Sequence, residues 1–215
     1  MKLAILSGGP LDLLPDLKDV FFSDVTWIGV DRGTITLLQA GIKPVRAFGD
    51  FDSISDEELK VIHRSGFPLA TFEAEKDATD LELALDWALS QKPEACYLVG
   101  ATGGRLDHML VNIQFLIKAL GSSTKVHLLD RQNRVTLLDP GAYNVEKRPE
   151  FNYISLIAYT PEVRGLTLEG FKYPLDNHTL TWGSSLCVSN ELHGPQGGLR
   201  FTQGLLLLIY SRDQK

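Results

Sequence analysis

The sequence contains little cysteine, no block of positive charge and no long apolar run. Its two cysteines, Cys96 and Cys187, are far apart and each lies in a strand-like run, which indicates buried thiols of a reducing compartment rather than a disulfide. The net charge is −6, whereas a nucleic-acid surface needs clustered cations to neutralise phosphates. The longest apolar stretch, residues 205–210, is too short to span a bilayer. We therefore expect a cytoplasmic protein that acts on small molecules, without nucleic-acid or membrane partners.

Short apolar runs alternate with helical stretches in the first part of the chain. The runs cover residues 3–7, 26–30, 45–48, 69–72, 96–99 and 126–129. Strands that alternate with helices are typical of a parallel sheet covered on both faces. The clearest helices are predicted over 77–90 and 105–120. The second carries an apolar stripe of Leu106, Leu110, Ile113 and Ile117, with Gly121 as its stop. These patterns predict an α/β, Rossmann-like domain over residues 1–129.

The character of the sequence changes after residue 130. No helical period is evident there, and strand-like runs are separated by Gly, Pro and Asn. Such a pattern is typical of a small antiparallel β-sandwich or barrel, which we expect over residues 130–215. A domain of this size has little interior for an apolar run such as residues 205–210. We therefore expect a homodimer formed largely through this domain.

Two acids, Asp50 and Asp52, follow the third predicted strand in the segment GDFDSI. In an extended segment, side chains two residues apart point to the same side, so these carboxylates would repel each other unless a cation lay between them. A hard divalent cation such as Mg²⁺ would serve. A lone Asp-x-Asp is more often an ordinary turn, so the metal hypothesis depends on the rest of the chain.

The other strand ends add further acids, glycines and an arginine, at the edge where parallel α/β sheets bind ligands. These residues are Ser7, Gly8, Gly9, Asp31, Arg32, Gly33, Asp77, Asp80, Gly100, Thr102, Gly103, Gly104, Arg105 and Asp107. Single roles have structural explanations, since Asp77 suits a helix N-cap and Asp80 the first turn. Together, carboxylates, glycine backbone and an arginine suit Mg²⁺ and a polyphosphate. The combination favours phosphoryl or pyrophosphoryl transfer.

Six segments, in this order, resemble the thiamine pyrophosphokinase family. They are Ser7-Gly8-Gly9, VDRG (30–33), GDFDSI (49–54), KDATDLELAL (76–85), GATGGRLDH (100–108) with Asn112, and GFKYPL (170–175) followed by VSNE (188–191). The resemblance implies an N-terminal α/β domain and a C-terminal β domain. It also implies a homodimer with active sites at the subunit interface. The implied reaction transfers the pyrophosphoryl group of ATP to the hydroxyethyl group of thiamine and releases AMP.

The resemblance also implies roles for individual residues. The acids for Mg²⁺ and ATP phosphates are Asp31, Asp50, Asp52, Asp77 and Asp80. The nucleotide-binding loops and helix contribute Ser7, Gly8, Gly9, Gly33, Gly103, Gly104 and Asn112, and the phosphate-binding and supporting pair is Arg105 and Asp107. The residues that hold thiamine are Tyr173, Ser189 and Asn190. Asp80 and Asp107 are both candidates for the acceptor of the thiamine hydroxyl proton. Arg32 is a departure, because the family usually has a glycine there.

Two other hypotheses remain open at the level of sequence. One is another Asp-x-Asp metal enzyme, either a nucleotide-sugar glycosyltransferase or a phosphatase with Asp50 as nucleophile. The other is a non-catalytic thiamine- or nucleotide-binding protein. The first leaves the acids after the other strands unexplained, and the second has little use for so many candidate metal ligands.

Overall fold

The computed structural model describes residues 1–51, 54–71 and 77–213. The chain divides into two compact units, Met1–Arg131 and Gln132–Lys215. Within the described ranges, no helix is both long enough and apolar enough to cross a membrane.

The first unit is an α/β domain with a parallel sheet. Its elements are β1 (Lys2–Leu6), β2 (Val25–Val30), α1 (Arg32–Gln39), β3 (Arg46–Gly49), α2 (Asp56–Ser65), β4 (Leu69–Thr71), α3 (Asp80–Ser90), β5 (Ala95–Val99), α4 (Leu106–Gln114) and β6 (Lys125–Leu129), with 3₁₀ helices over Leu11–Leu13, Val20–Phe22 and Phe115–Ala119. The six strands lie in the order β4-β3-β2-β1-β5-β6, and neighbouring strands are parallel. The predicted α/β fold with a parallel sheet is confirmed.

The strand order reverses between β1 and β5. The chain runs outward from β1 through β2 and β3 to β4, then crosses back to β5 on the other side of β1. Both central strands are almost wholly apolar and buried, with Ile5 and Leu98 fully enclosed, because helices cover both faces of such a sheet. Ligands of open α/β sheets bind beyond the carboxyl ends at this reversal. In this chain, Ser7 and Gly100 follow those two ends.

The fourth helix differs from its sequence prediction. It gives way after its ninth residue to the 3₁₀ helix, which has a tighter turn. Leu106, Leu110 and Ile117 of the predicted apolar stripe are 63%, 51% and 48% exposed, whereas Asn112 and Phe115 are buried. The helix turns its Asn112 side inward because that amide donates a hydrogen bond to the carbonyl of the preceding loop. The apolar stripe exists, but within this chain it faces solvent.

The start of the third helix also differs from the prediction. Its N-cap is Thr79, whose hydroxyl accepts a hydrogen bond from the Glu82 amide at 3.2 Å. Asp77 lies two residues before that cap, and Asp80 occupies the first turn as expected. A threonine three residues before a glutamate is a common helix start, which explains why Thr79 takes the position.

The second unit is built from antiparallel strands. They are β7 (Asn133–Leu138), β8 (Gly141–Glu146), β9 (Tyr153–Ala158), β10 (Glu162–Glu169), β11 (Leu175–Thr181), β12 (Gln196–Phe201) and β13 (Leu206–Ser211). Within this unit, β13 lies between β7 and β9, and four strands pair in the order β11-β10-β12-β8. Buried side chains from both groups, such as Leu156, Leu166 and Leu206, form one core. The predicted antiparallel β domain is confirmed.

One reason for expecting a dimer is wrong. Leu206, Leu207 and Tyr210 are buried within the chain, because β13 has a partner strand on each side. The exposed apolar side chains of this unit include those of Trp182, Leu186 and Val188. The expectation of two buried thiols is confirmed, since both cysteines are free and buried. Burial raises the pKa of Cys96 to about 12 and that of Cys187 to about 11.

Candidate active site

A cleft of about 930 Å³ lies in the first unit, beyond the carboxyl ends of β1, β2 and β5. Ten of the predicted site residues line it. They are Ser7, Gly8, Gly9, Asp31, Asp77, Asp80, Gly103, Gly104, Arg105 and Asn112. Arg32, Thr102 and His108 also reach the cleft. It has room for a nucleotide-sized ligand.

Two loops meet backbone to backbone at the centre of this cleft. The amides of Ser7 and Gly9 donate to the carbonyls of Val99 and Gly100, each at 2.9 Å, and the Ser7 hydroxyl also donates to the Gly100 carbonyl. A Cβ atom on Gly9 would overlap the Gly100 carbonyl and lie 3.1 Å from the backbone carbonyl oxygen of Thr102. Glycine is therefore required at position 9, because the two main chains pass in contact.

The segment 100–105, here called the glycine loop, is held by side chains from two other elements. Asn112 in α4 donates from Nδ2 to the Ala101 carbonyl at 2.9 Å. The Thr102 hydroxyl donates to Oδ2 of Asp130 at 2.8 Å, and Asp130 is only 5% exposed. Gly104 has a φ of 67°, and a Cβ there would meet nothing within 4 Å. The loop is thus fixed at Ala101 and Thr102 and open towards the cleft at Gly104.

Asp130 was missed in the sequence analysis. It comes directly after the last predicted strand of the parallel sheet. The rule that located the other strand-end residues, applied to that strand as well, would have found it.

Asp31 has a backbone conformation that is rare outside glycine. Its φ and ψ are 46° and −123°, and its amide donates to the Phe48 carbonyl at 2.9 Å. Such a conformation persists only where the surrounding structure imposes it, and it is frequent at functional sites. The Asp31 carboxylate lies against Gly49, since a Cβ on that glycine would overlap Oδ1. It is therefore placed beside the residue that precedes Asp50.

The remaining predicted acids are less well gathered. Asp50 is half-buried but does not line the cleft, and Asp52 lies outside the described residues. Among the residues described, no group of three or more His, Cys, Asp or Glu side chains is arranged to hold a metal ion. Gly33 packs against β1, where a Cβ would overlap the Leu6 carbonyl, so its place in the structure is explained by packing and not by contact with the cleft.

Arg105 and Asp107 form an exposed ion pair at the rim. The guanidinium donates from Nη2 and Nε to the two carboxylate oxygens, at 2.6 and 3.2 Å. These hydrogen bonds, with one from the His108 amide, lower the pKa of Asp107 to about 2. Arg105 lines the cleft and Asp107 does not. Asp107 therefore orients the Arg105 guanidinium without lining the cleft itself.

Arg32 lies at the first position of α1. Its Nη1 atom is 3.9 Å from Oε1 of Glu58, which forms a reciprocal capping box with Ser55 at the start of α2. The hydrogen bond from the Ser55 amide, with a smaller effect of the Arg32 charge, lowers the pKa of Glu58. At 3.9 Å this contact is loose, so the guanidinium retains its capacity to pair with another anion.

In the second unit, Tyr173 and Asn190 are hydrogen-bonded to each other. Asn190 is 2% exposed; its Oδ1 accepts from the Tyr173 amide at 3.1 Å, and its Nδ2 donates to the Tyr173 carbonyl at 2.9 Å. The Tyr173 side chain is 57% exposed. Ser189 is exposed and has a φ of 56°, with its amide donating to the Ser155 hydroxyl. Asn190 thus holds the backbone that presents an exposed aromatic ring, over which Lys172 Nζ lies 5.6 Å from the centroid.

Comparison with known proteins identifies the chain's relatives. The model for the thiamin pyrophosphokinase catalytic domain matches residues 17–128, and the model for the thiamin pyrophosphokinase vitamin B1 binding domain matches residues 142–206. A thiamine pyrophosphokinase of Bacillus subtilis (strain 168) is 49% identical over 209 residues, which are 97% of this chain and 98% of that protein. The chain belongs to the thiamine pyrophosphokinase family.

Solved structures agree with this family assignment. The crystal structure of thiamine pyrophosphokinase from Bacillus subtilis has a TM-score of 0.94 and 47% identity, with 100% of both chains covered. That of thiamin pyrophosphokinase from Geobacillus thermodenitrificans has a TM-score of 0.91 and 45% identity, covering 100% of this chain and 99% of that one. Thiamin pyrophosphokinase from Candida albicans, at 16% identity and a TM-score of 0.83, shares the fold.

Membership in the thiamine pyrophosphokinase family decides between the open hypotheses. The chain is an enzyme that transfers the pyrophosphoryl group of ATP to thiamine and makes thiamine diphosphate. A different Asp-x-Asp transferase and a non-catalytic binding protein are not favoured. Most of the cleft residues fall in the catalytic-domain match, and Tyr173, Ser189 and Asn190 fall in the vitamin B1 binding match.

Proposed function

We propose that the cleft of the first unit binds ATP with Mg²⁺ and that the Tyr173 surface of the second unit binds thiamine. The observation that carries this proposal is the convergence of acids, glycine backbone and two arginines at the reversal between β1 and β5. In the reaction, the thiamine hydroxyl attacks the β-phosphorus of ATP in line. The bond between the β-phosphorus and the oxygen that bridges it to the α-phosphorus breaks, and AMP leaves with that oxygen. Catalysis of this kind is mostly positioning and charge neutralisation.

The glycine loop and the Ser7–Gly9 turn are proposed to hold the phosphates. At Gly104 the backbone has no side chain and no neighbour within 4 Å of the Cβ position, so a phosphate can approach it closely. Asp107 holds the Nε–Nη2 edge of Arg105 at the rim of the cleft, and the Nη1–Nη2 edge of the same guanidinium remains as a two-donor fork. Such a fork pairs well with phosphate oxygens.

Mg²⁺ fits the donors present, because carboxylate oxygens are its preferred protein ligands. Asp31, placed against Gly49, and the neighbouring Asp50 are the proposed ligands among the described residues, with Asp52 added by the sequence analysis. One or two carboxylates with water and substrate phosphates are usual for Mg²⁺, so a cluster of three is not required. The metal would neutralise charge on the transferred group. Asp77 and Asp80 line the cleft and are proposed to bind metal-held water.

Asp80 is the better candidate for the proton acceptor. It lines the cleft from the first turn of α3. The pKa of Asp107 near 2 makes that carboxylate a weak base, and its oxygens are engaged by Arg105. We therefore assign Asp107 to the support of Arg105.

The exposed Tyr173 ring is proposed as the thiamine platform. Thiamine carries a cationic thiazolium and a flat aminopyrimidine, which suit an aromatic face. Ser189 is the exposed polar neighbour, whereas the Asn190 amide is occupied in bracing Tyr173. Because more than half of the ring is exposed, this unit offers one side of a site.

We propose that a second copy of the chain completes the site. Trp182, Leu186 and Val188 are exposed. The segment that carries them accepts a hydrogen bond from Leu156 of β9 at the Cys187 carbonyl and donates one from Trp182 to the Tyr159 carbonyl, just after β9. Exposed apolar groups of this kind mark association surfaces. The substitution Leu186→Glu is expected to yield monomers in light scattering, whereas Val20→Glu, at an exposed valine of the first unit, leaves the dimer intact. A wild-type chain that is monomeric and fully active at micromolar concentration would contradict the proposal.

The reaction assignment is tested by incubating the protein with ATP, Mg²⁺ and thiamine and resolving the products by chromatography. AMP and thiamine diphosphate are expected in equal amounts, and both should disappear when the metal is chelated. Formation of ADP with thiamine monophosphate would mean a single phosphoryl transfer instead. A cytoplasmic location stays a prediction, supported by the two free, buried thiols.

A further inference from the structure

We infer that Asp130 is a positioning residue for ATP, which acts by holding Thr102 and thereby fixes the glycine loop. The inference rests on the proposed placement of ATP in the cleft. Asp130 itself does not line the cleft, whereas Thr102 does.

The burial of Asp130 is the first observation. A carboxylate that is 5% exposed loses most of its hydration, and such burial is unfavourable unless hydrogen bonds compensate for it. The Thr102 hydroxyl supplies one such bond at 2.8 Å.

The intrinsic freedom of the loop is the second observation. Gly100, Gly103 and Gly104 all have positive φ values, of 66°, 73° and 67°. Glycines have the largest conformational entropy of any residue, so a loop with three of them would sample many shapes if it were held only at its ends. The Thr102–Asp130 bond fixes the loop between the first and second of these glycines.

The two side-chain anchors of the loop come from different elements. Asn112 on α4 holds Ala101, and Asp130 at the end of β6 holds Thr102. Both attach before Gly103, which leaves the open backbone at Gly104 as the next segment towards Arg105. An ordered loop binds its ligand without an additional ordering cost, so loss of the Asp130 anchor should weaken ATP binding more than it weakens the fold.

The test compares Thr102→Val with Thr124→Val. Each removes a hydroxyl that donates a hydrogen bond in the first unit, at 2.8 Å to Asp130 and at 2.6 Å to the Pro93 carbonyl. Thr124 precedes β6 and lies away from the cleft. We expect similar losses of thermal stability, but only Thr102→Val should raise the Kd of a non-hydrolysable ATP analogue, by about five- to tenfold, in calorimetric titration. Its KM for thiamine should be unchanged.

Two further variants separate positioning from direct contact. Thr102→Ser keeps the donor and should restore the Kd to within about twofold of wild type. If Thr102 acts through Asp130, the double variant Thr102→Val with Asp130→Ala should bind the analogue no more weakly than the weaker of the two single variants.

Additive losses in the double variant, or equal Kd values for Thr102→Val and wild type, would overturn the inference. Both outcomes are distinct from failure of the proposed function, which would appear as a wild-type protein that does not bind the analogue or form AMP.

Discussion

The two regions proposed to bind the substrates are constructed differently. The cleft of the first unit is recessed and built largely from backbone, with Gly9 in contact with the Gly100 carbonyl. The Tyr173 region of the second unit is a surface, where a single buried amide braces an exposed ring. A polyphosphate can be surrounded by the main chain and arginine of one chain, whereas a flat ring needs a second face. The first region should therefore respond to changes in charge and backbone, and the second to loss of aromatic area.

The largest effect is expected from Asp50→Asn, in the first unit beside Gly49 and the Asp31 carboxylate. Loss of one proposed Mg²⁺ ligand should lower kcat by about a hundredfold or more, while relief of repulsion between neighbouring acids keeps the melting temperature equal or slightly higher. Asp16→Asn, at an exposed acid of the same unit, is the matched control and should leave kcat unchanged. Near wild-type turnover of Asp50→Asn at saturating Mg²⁺ would show that this carboxylate is not a ligand.

A tenfold effect is expected from Tyr173→Ala in the second region. Loss of a cation–π or stacking contact of roughly 1 to 2 kcal/mol should raise the KM for thiamine about tenfold and leave the KM for ATP nearly unchanged. Tyr173→Phe keeps the ring and should behave like wild type. If both KM values rose together, the division between the two regions would be wrong.

A smaller effect is expected from Gly104→Ala, for which the chain offers a close control. Gly104 and Gly121 have φ values of 67° and 72°, and a Cβ at either position meets nothing within 4 Å. The left-handed conformation costs an alanine about 1 to 2 kcal/mol at each position, so both variants should lose similar stability in urea denaturation. Only Gly104→Ala should also raise the KM for ATP, because its methyl group enters the cleft. Equal KM values for the two variants would argue against phosphate contact at Gly104.

The smallest effect concerns the Arg105–Asp107 pair. The pKa of Asp107 is lowered from 3.8 to about 2, so the pair stabilises the fold fully above about pH 4 and loses this contribution as the pH falls through 2. The stability difference between wild type and Asp107→Asn, measured by thermal melting, should be small and constant above pH 4 and vanish in acid. Between pH 6 and 9 the two pH–rate profiles should have the same shape, since Asp107 stays ionised throughout. A loss of kcat of about a hundredfold or more in Asp107→Asn, with the KM for ATP unchanged, would instead make Asp107 the proton acceptor.

The fold of the first unit was predictable because buried parallel strands are apolar along almost their whole length, as β1 and β5 are. The gathering of the strand-end residues followed from the same sheet geometry. Thr79 as the N-cap could also have been predicted, since the sequence carries the Thr-x-x-Glu pattern of a helix start.

Other features could not be predicted from local sequence. The stripe of Leu106, Leu110 and Ile117 has the correct helical spacing, but periodicity does not tell whether the same chain covers it. The bracing of Tyr173 by Asn190 joins residues 17 positions apart, and no spacing rule describes it. Such contacts arise only once the strands have paired.

The contact between Gly9 and the Gly100 carbonyl determines which mutations the gene can tolerate at codon 9. Every missense change of a glycine codon by one base adds at least a Cβ atom, and position 9 has no space for one. Gly41 and Gly121 have open space at the Cβ position. A substitution at either of them would cost only the strain of a positive φ. In a library of random single-codon variants, selected for growth without external thiamine diphosphate, codon 9 should keep glycine while codons 41 and 121 drift.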